Sequence, residues 1–131
     1  MGIRGAECGG NDETWAGTSD EQQLTDYAVY RQEEGGTESV GSKKPNGLGL
    51  YDMSGNVYEW VNDCWHNSYQ AVPTDGSAWL EKNGGECGQR VVRGGSWGNS
   101  PVDLRVSLRS GGSTDDRINL IGFRLVQDPN S

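Results

Sequence analysis

Residues 49–65, GLYDMSGNVYEWVNDCW, are the densest stretch of the chain. The second half predicts a strand in which Val57, Glu59 and Val61 share one face and Tyr58 and Trp60 the other, so both faces are at least partly covered. The first half, around Ser54, Gly55 and Asn56, reads as a tight turn feeding that strand. Together they offer two carboxylates, Asp52 and Glu59, and backbone carbonyls that a glycine turn exposes. A hard divalent cation such as calcium takes about six to eight oxygens of this mixed kind. The same residues also suit a second arrangement, in which Asp52 caps the turn through its own backbone and Glu59 pairs with an arginine from a neighbouring strand.

Downstream of this stretch, 66–88 reads as a long loop rich in Gly, Pro, Asp and Asn. Three strand-like runs then follow at 90–97, 104–109 and 122–126, separated by turn-forming residues such as Gly94, Gly95 and Pro101, or Gly111, Gly112 and Asp115. Period-two alternation is clearest in Leu104, Val106 and Leu108 against Arg105, Ser107 and Arg109. This pattern predicts antiparallel strands joined by long excursions. Upstream, 20–30 suits a short helical turn, and 1–19 is polar, glycine-rich and irregular, with Trp15 as its one large apolar group.

The length of 131 residues fits a single domain spanning 1–131. Only 32% of residues are hydrophobic and 21 are glycine, so the core is expected to be thin and to need help from a metal, a crosslink or aromatic packing. The net charge of -8, with arginines interleaved among Asp and apolar residues, argues against nucleic acid as a partner. No apolar run approaches the length of a membrane span, and MGIRGAECGG at the start has no hydrophobic leader segment, so no membrane partner is expected.

Of the three cysteines, none forms a CxxC pair or lies near the single His66 at a zinc-like spacing. Cys64 and Cys87 flank the glycine-rich loop, and a disulfide between them is worth about 3 kcal/mol in the chain-entropy account. Two buried free thiols are the alternative for a cytoplasmic protein, whereas the bridge points to a periplasmic or extracellular one. Cys8 is left over. Ser96 follows two glycines, as an exposed nucleophile would, but a serine there more often closes a tight turn.

Three segments, KPNGLGLYDMSGNVYEWVNDCW at 44–65, RVVRGGSW at 90–97 and IGFRLV at 121–126, resemble in order and spacing the formylglycine-generating enzyme (sulfatase-modifying factor) family. The resemblance implies an α+β fold, a compact variant of the C-type lectin fold with short antiparallel strands and much irregular structure. It implies bound calcium, with the Asp52 and Glu59 side chains and the Gly55 and Val57 carbonyls as ligands. The family's other calcium site maps poorly onto 11–40.

Enzymes of this family oxidise a substrate cysteine with two copper-binding cysteines of their own. Placed on the arginine-bearing run 105–109, those positions fall on Pro101 and Val106, neither of which forms a thiolate, so no copper and no such oxidation are expected. A related three-histidine iron site is beyond a chain with one histidine. Family members also carry a longer stretch ahead of the GGNDETWAGT-like region at 9–18, so the chain resembles an N-terminally truncated member.

The resemblance therefore implies a non-catalytic binding module that displays its C-terminal loops to a protein or glycan. Its candidate ligand-binding residues are Trp97, Asn99, Asp103, Arg105 and Ser107, followed by Arg109, Asp115, Arg117 and Asn119. The segment from RVVRGGSW to GFRLV also resembles the variable region of retroelement-diversified receptor proteins. A sheet edge left bare by the short N-terminus favours a homo-oligomer. The alternatives are an oxidase subunit completed by another chain and a structural domain without a ligand.

Overall fold

The computed structural model describes Gly9 and residues 11–127, so Cys8 lies outside the described residues. A four-stranded sheet of order β3-β2-β1-β4 forms from β1 (Tyr58–Trp65), β2 (Glu86–Arg93), β3 (Ser110–Ser113) and β4 (Ile121–Gly122). β2 pairs antiparallel with both β1 and β3, but β4 runs parallel to β1, which departs from the all-antiparallel expectation. The expected helical turn is present as a 3-10 turn, Glu21–Gln23, leading into α1 (Leu24–Tyr27). The Asp20 side chain caps it, accepting from the Gln22 N–H at 2.9 Å. The result is the small α+β, C-type-lectin-like architecture that the sequence implied.

The strand positions shift from expectation for identifiable reasons. β2 ends at Arg93 because Gly94 and Gly95 both adopt positive φ, which turns the chain out of the sheet before Trp97. At its other end β2 starts at Glu86, inside the stretch expected to be loop. Residues 104–109 are no ladder strand. Pro101–Leu104 is a 3-10 turn closed by a capping box between Ser100 and Asp103, and the Val106 N–H donates to the Thr14 carbonyl at 3.0 Å. The alternation there is real, since Leu104 and Val106 are buried, but it records contact with the N-terminal loop and not with a strand.

β3 is SGGS, a strand made from glycines that read as a turn. A Cβ on Gly112 would stand 2.7 Å from the Trp60 ring, and one on Gly111 3.2 Å from the Trp65 ring. The two indoles thus lie across this strand and leave room only for bare backbone. Along β1, register irregularities between Trp60 and Cys64 and between Cys64 and Trp65 interrupt the simple face alternation.

The core is thin and divided. One cluster joins Trp15, Leu24, Ala28 and Leu104, and a second joins Ala16, Met53 and Val106. Buried hydrogen bonds stitch them together. The Trp15 indole N–H donates to the Pro101 carbonyl at 2.7 Å, and the Ser54 hydroxyl donates to the Leu104 carbonyl at 2.9 Å while accepting from the Ala16 N–H at 3.1 Å. Cys64 and Cys87 form a disulfide, as one of the two readings of their spacing required.

Candidate functional site

The Ser54–Asn56 turn reverses the chain at the mouth of β1, and three positive φ angles mark it: Asp52 at 55°, Gly55 at 78° and Asn56 at 66°. Backbone bonds lock the turn to its neighbours. Gly55 N–H donates to the Gly94 carbonyl at 2.7 Å, Asn56 N–H to the Val29 carbonyl at 2.9 Å, and Trp97 N–H to the Asn56 carbonyl at 2.7 Å. The turn is therefore pinned to both the α1 exit and the end of β2.

Its outer side opens into a cleft of about 390 Å³ lined by Asp52, Gly55, Val57 and Glu59. All four residues that the resemblance proposed as calcium ligands thus border one space. Val40, Tyr51 and Phe123 give this cleft an apolar rim, and Arg124 closes it. One Asp52 carboxylate oxygen, Oδ2, accepts from the Gly41 N–H at 2.8 Å. The other, Oδ1, is buried and has no hydrogen-bond partner. An orphaned carboxylate oxygen is costly to bury, and a cation is the partner that would offset that cost.

Glu59 has a different neighbour. The Arg124 guanidinium grips it through two bonds of 2.6 Å, from Nε and from Nη2, and the same Nη2 donates to the Asp52 backbone carbonyl at 3.1 Å. The arginine pairing considered for Glu59 is thus present, with the arginine coming from the segment just after β4. Asp52, by contrast, bonds the Gly41 N–H and not a turn of its own. Acceptor oxygens from both ends of the turn converge on one guanidinium nitrogen, and both are hard oxygens of the kind calcium takes. No group of three or more His, Cys, Asp or Glu side chains suited to a metal occurs among the described residues.

The nine candidate recognition residues divide into two groups. Ser107, Asp115, Arg117 and Asn119 are exposed, and half-buried Trp97 reaches the 115–119 loop through its indole N–H, 3.3 Å from the Asn119 carbonyl. Four others have their side chains engaged. Asn99 Oδ1 accepts from the Ser96 N–H and hydroxyl at 2.8 and 2.7 Å, Asp103 caps Ser100, and Arg105 Nε donates to the Val102 carbonyl at 2.9 Å. The Arg109 guanidinium lies between the Trp65 and Tyr69 rings, 4.4 Å from each centroid, and donates to the His66 carbonyl.

Ser96 is buried and bound to Asn99, so its hydroxyl closes a turn. His66 is equally committed. Its ring stacks on Trp79 at 3.6 Å, with its nitrogens 3.0 and 2.9 Å from the Cys64 and Lys82 carbonyls. Sequence reasoning missed Tyr58 as part of this region. Burial raises its phenol above the usual range, the Asp103 charge adds to this, and hydrogen bonds with Ser110 and Asn99 oppose it. It also missed Arg31 and Gln32, whose N–H groups donate to the Asn99 and Trp97 carbonyls at 3.1 and 2.9 Å. Nothing in the local pattern of residues 31 and 32 signals that pairing, which exists only once the chain folds back.

Comparison with known proteins places this geometry. A family model described as the sulfatase-modifying factor enzyme 1-like domain matches residues 4–129. The formylglycine-generating enzyme of Thermomonospora curvata is 35% identical over 98 residues, covering 72% of this chain and 32% of the enzyme. Among solved structures, PvdO from Pseudomonas aeruginosa superposes with a TM-score of 0.81 at 37% identity, covering 92% of this chain and 48% of PvdO. Treponema denticola variable protein 1 gives 0.75 at 36% identity, covering 92% of this chain and 43% of that one. The chain spans about a third of that enzyme's length and under half of each of these two solved chains. With its glycine turn, its lectin-like sheet and a match running from one end to the other, the chain belongs to the sulfatase-modifying factor enzyme 1-like domain family.

Proposed function

We propose that this domain is a non-catalytic, calcium-stabilised recognition module that presents its C-terminal loops to a protein or glycan. The observation that carries the calcium part is the buried, unpartnered Asp52 Oδ1 at a cleft shared with Gly55, Val57 and Glu59. Asp52 and Glu59 would supply the charge, and the Gly55 and Val57 carbonyls the neutral oxygens. Binding would neutralise like charges at the mouth of β1 and fix the turn that joins α1, β1 and β2.

The non-catalytic part rests on cysteine chemistry. The chain has three cysteines, two of them joined in the Cys64–Cys87 bridge, so it holds no pair of free thiols to bind copper. The bridge itself suits an oxidising, extracytoplasmic compartment. For recognition, Ser107, Asp115, Arg117 and Asn119 are exposed, and the 115–119 loop, which meets Trp97 at Asn119, offers polar and arginine groups with one aromatic anchor. Copies of the chain would associate through the β4 edge, which no strand covers among the described residues and beside which Phe123, Leu125 and Val126 are exposed.

Removing calcium with EDTA is expected to lower the melting temperature by several degrees, as loss of a ligand held at about 100 times its dissociation constant costs about 2.7 kcal/mol. Added calcium should restore it in wild type but not in Asp52→Ala or Glu59→Ala. A melting temperature indifferent to calcium in all three proteins would end this reading. For recognition, a glycan and peptide array should give a binder that Asp115→Ala and Arg117→Ala both weaken about tenfold, since each removes one exposed charged contact. Copper-dependent oxidation of a CxPxR peptide by the isolated chain would instead establish an enzyme.

A further inference from the structure

Arg124 occupies an unusual place for a residue beside a cation cleft. Its guanidinium holds both oxygens of Glu59 at 2.6 Å, and one of its nitrogens also reaches the Asp52 carbonyl at 3.1 Å. The pair is only partly exposed, with side-chain exposures of 34% for Arg124 and 21% for Glu59. Arg124 follows β4, which is two residues long and pairs with β1 only at Tyr58↔Ile121 and Glu59↔Gly122. The side-chain clamp on Glu59 adds to this short ladder and to the Tyr58 N–H bond to the Leu120 carbonyl in holding the edge.

From this geometry we infer that Arg124 is a resident counter-cation that competes with calcium for Glu59, so that metal binding and the docking of residues 121–126 are coupled in opposite directions. The inference rests on the calcium reading of the Asp52–Glu59 cleft. The two charge-assisted bonds commit one lone pair on each Glu59 oxygen, and a metal approaching from the side the guanidinium occupies displaces at least part of that grip. A guanidinium left beside a bound divalent ion is repelled by it, which adds to the cost of entry. Without metal the same guanidinium neutralises Glu59 and holds β4 in place. By linkage, whatever calcium loses to Arg124, Arg124 loses to calcium.

This competition has three measurable consequences. Arg124→Gln, which keeps a hydrogen-bond donor but removes the charge and the fork, should bind calcium roughly tenfold more tightly than wild type by titration calorimetry. The same variant in EDTA should melt below wild type, because nothing then neutralises Glu59. Wild type should show faster amide exchange over 121–126 when calcium is added, while Arg124→Gln, already released, should show little change. Arg124→Lys, which retains the charge without the fork, should fall between the two.

Calcium binding that is unchanged or weakened in Arg124→Gln, while Asp52→Ala still abolishes it in an otherwise wild-type chain, would overturn the competition and leave the calcium site standing. That result would make Arg124 an orienting partner of Glu59. Absence of calcium binding in wild type and Arg124→Gln alike would remove the site and this inference together. Slower exchange over 121–126 on adding calcium to wild type would also overturn it, since the metal would then tighten the edge.

Discussion

Replacing Cys64 and Cys87 together by alanine is expected to lower the unfolding free energy by about 3 kcal/mol or more, the entropy restored to an open loop of this length. For a chain of this size that is a fall of roughly 10 °C in melting temperature. The bridge closes a sequence separation of 23 with Cα atoms 4.5 Å apart. It ties the end of β1 to the start of β2 at the point where the register is irregular. Cys64 is fully buried, so its truncation adds a small cavity to the entropic loss.

Other contacts hold the same loop. The Cys64 N–H donates to the Trp79 carbonyl at 2.8 Å, His66 stacks on Trp79, and Arg109 donates to the His66 carbonyl between two rings. Urea titration of the double variant, and of wild type with and without reductant, separates the contributions. A loss under about 1 kcal/mol in both experiments would show that this aromatic and arginine packing holds the loop without the bridge, since packing pairs of this kind are each worth about that much.

Gly55→Ala should be the most damaging single substitution near the site, costing about 3 kcal/mol from strain and collision together. The backbone at Gly55 has φ at 78°, where an L side chain is strained. A Cβ there would also run into the carbonyl and backbone of Val29. Val29 has no room to yield, because it is fully buried and its carbonyl already accepts the Asn56 N–H. Gly49→Ala supplies the control. Gly49 has φ at 79° but nothing within 4 Å of the place a Cβ would take, so that substitution should cost only about 1 kcal/mol. Equal losses in the two variants would show that φ strain alone matters and that the approach to Val29 is not tight. Because Gly55 borders the cleft, Gly55→Ala should also blunt the proposed response to calcium.

Much of the site was legible in the residues themselves. The stretch 49–65 carries turn, carboxylates and strand in one local run, and local runs are what sequence patterns report well. Residues 104–109 show the limit. Their alternation is genuine, yet alternation states only that one face is covered, and here the cover is the Thr14 loop and the core around Leu24. β3 is the opposite failure. Its glycines look like a turn until the indoles of Trp60 and Trp65 are seen to lie across them.

The sequence by itself determined the family architecture and the oxygen-rich turn from Asp52 to Glu59, because both are written in local runs of residues. Tertiary structure alone decided that Cys64 meets Cys87, that Arg109 is spent between two rings, and that the arginine gripping Glu59 is Arg124, 65 residues away. Those are choices among several cysteines and arginines of the same chemistry. Only the path of the backbone, set by burial of a small split core, brings one of them within bonding distance and leaves the others in solvent or in other contacts.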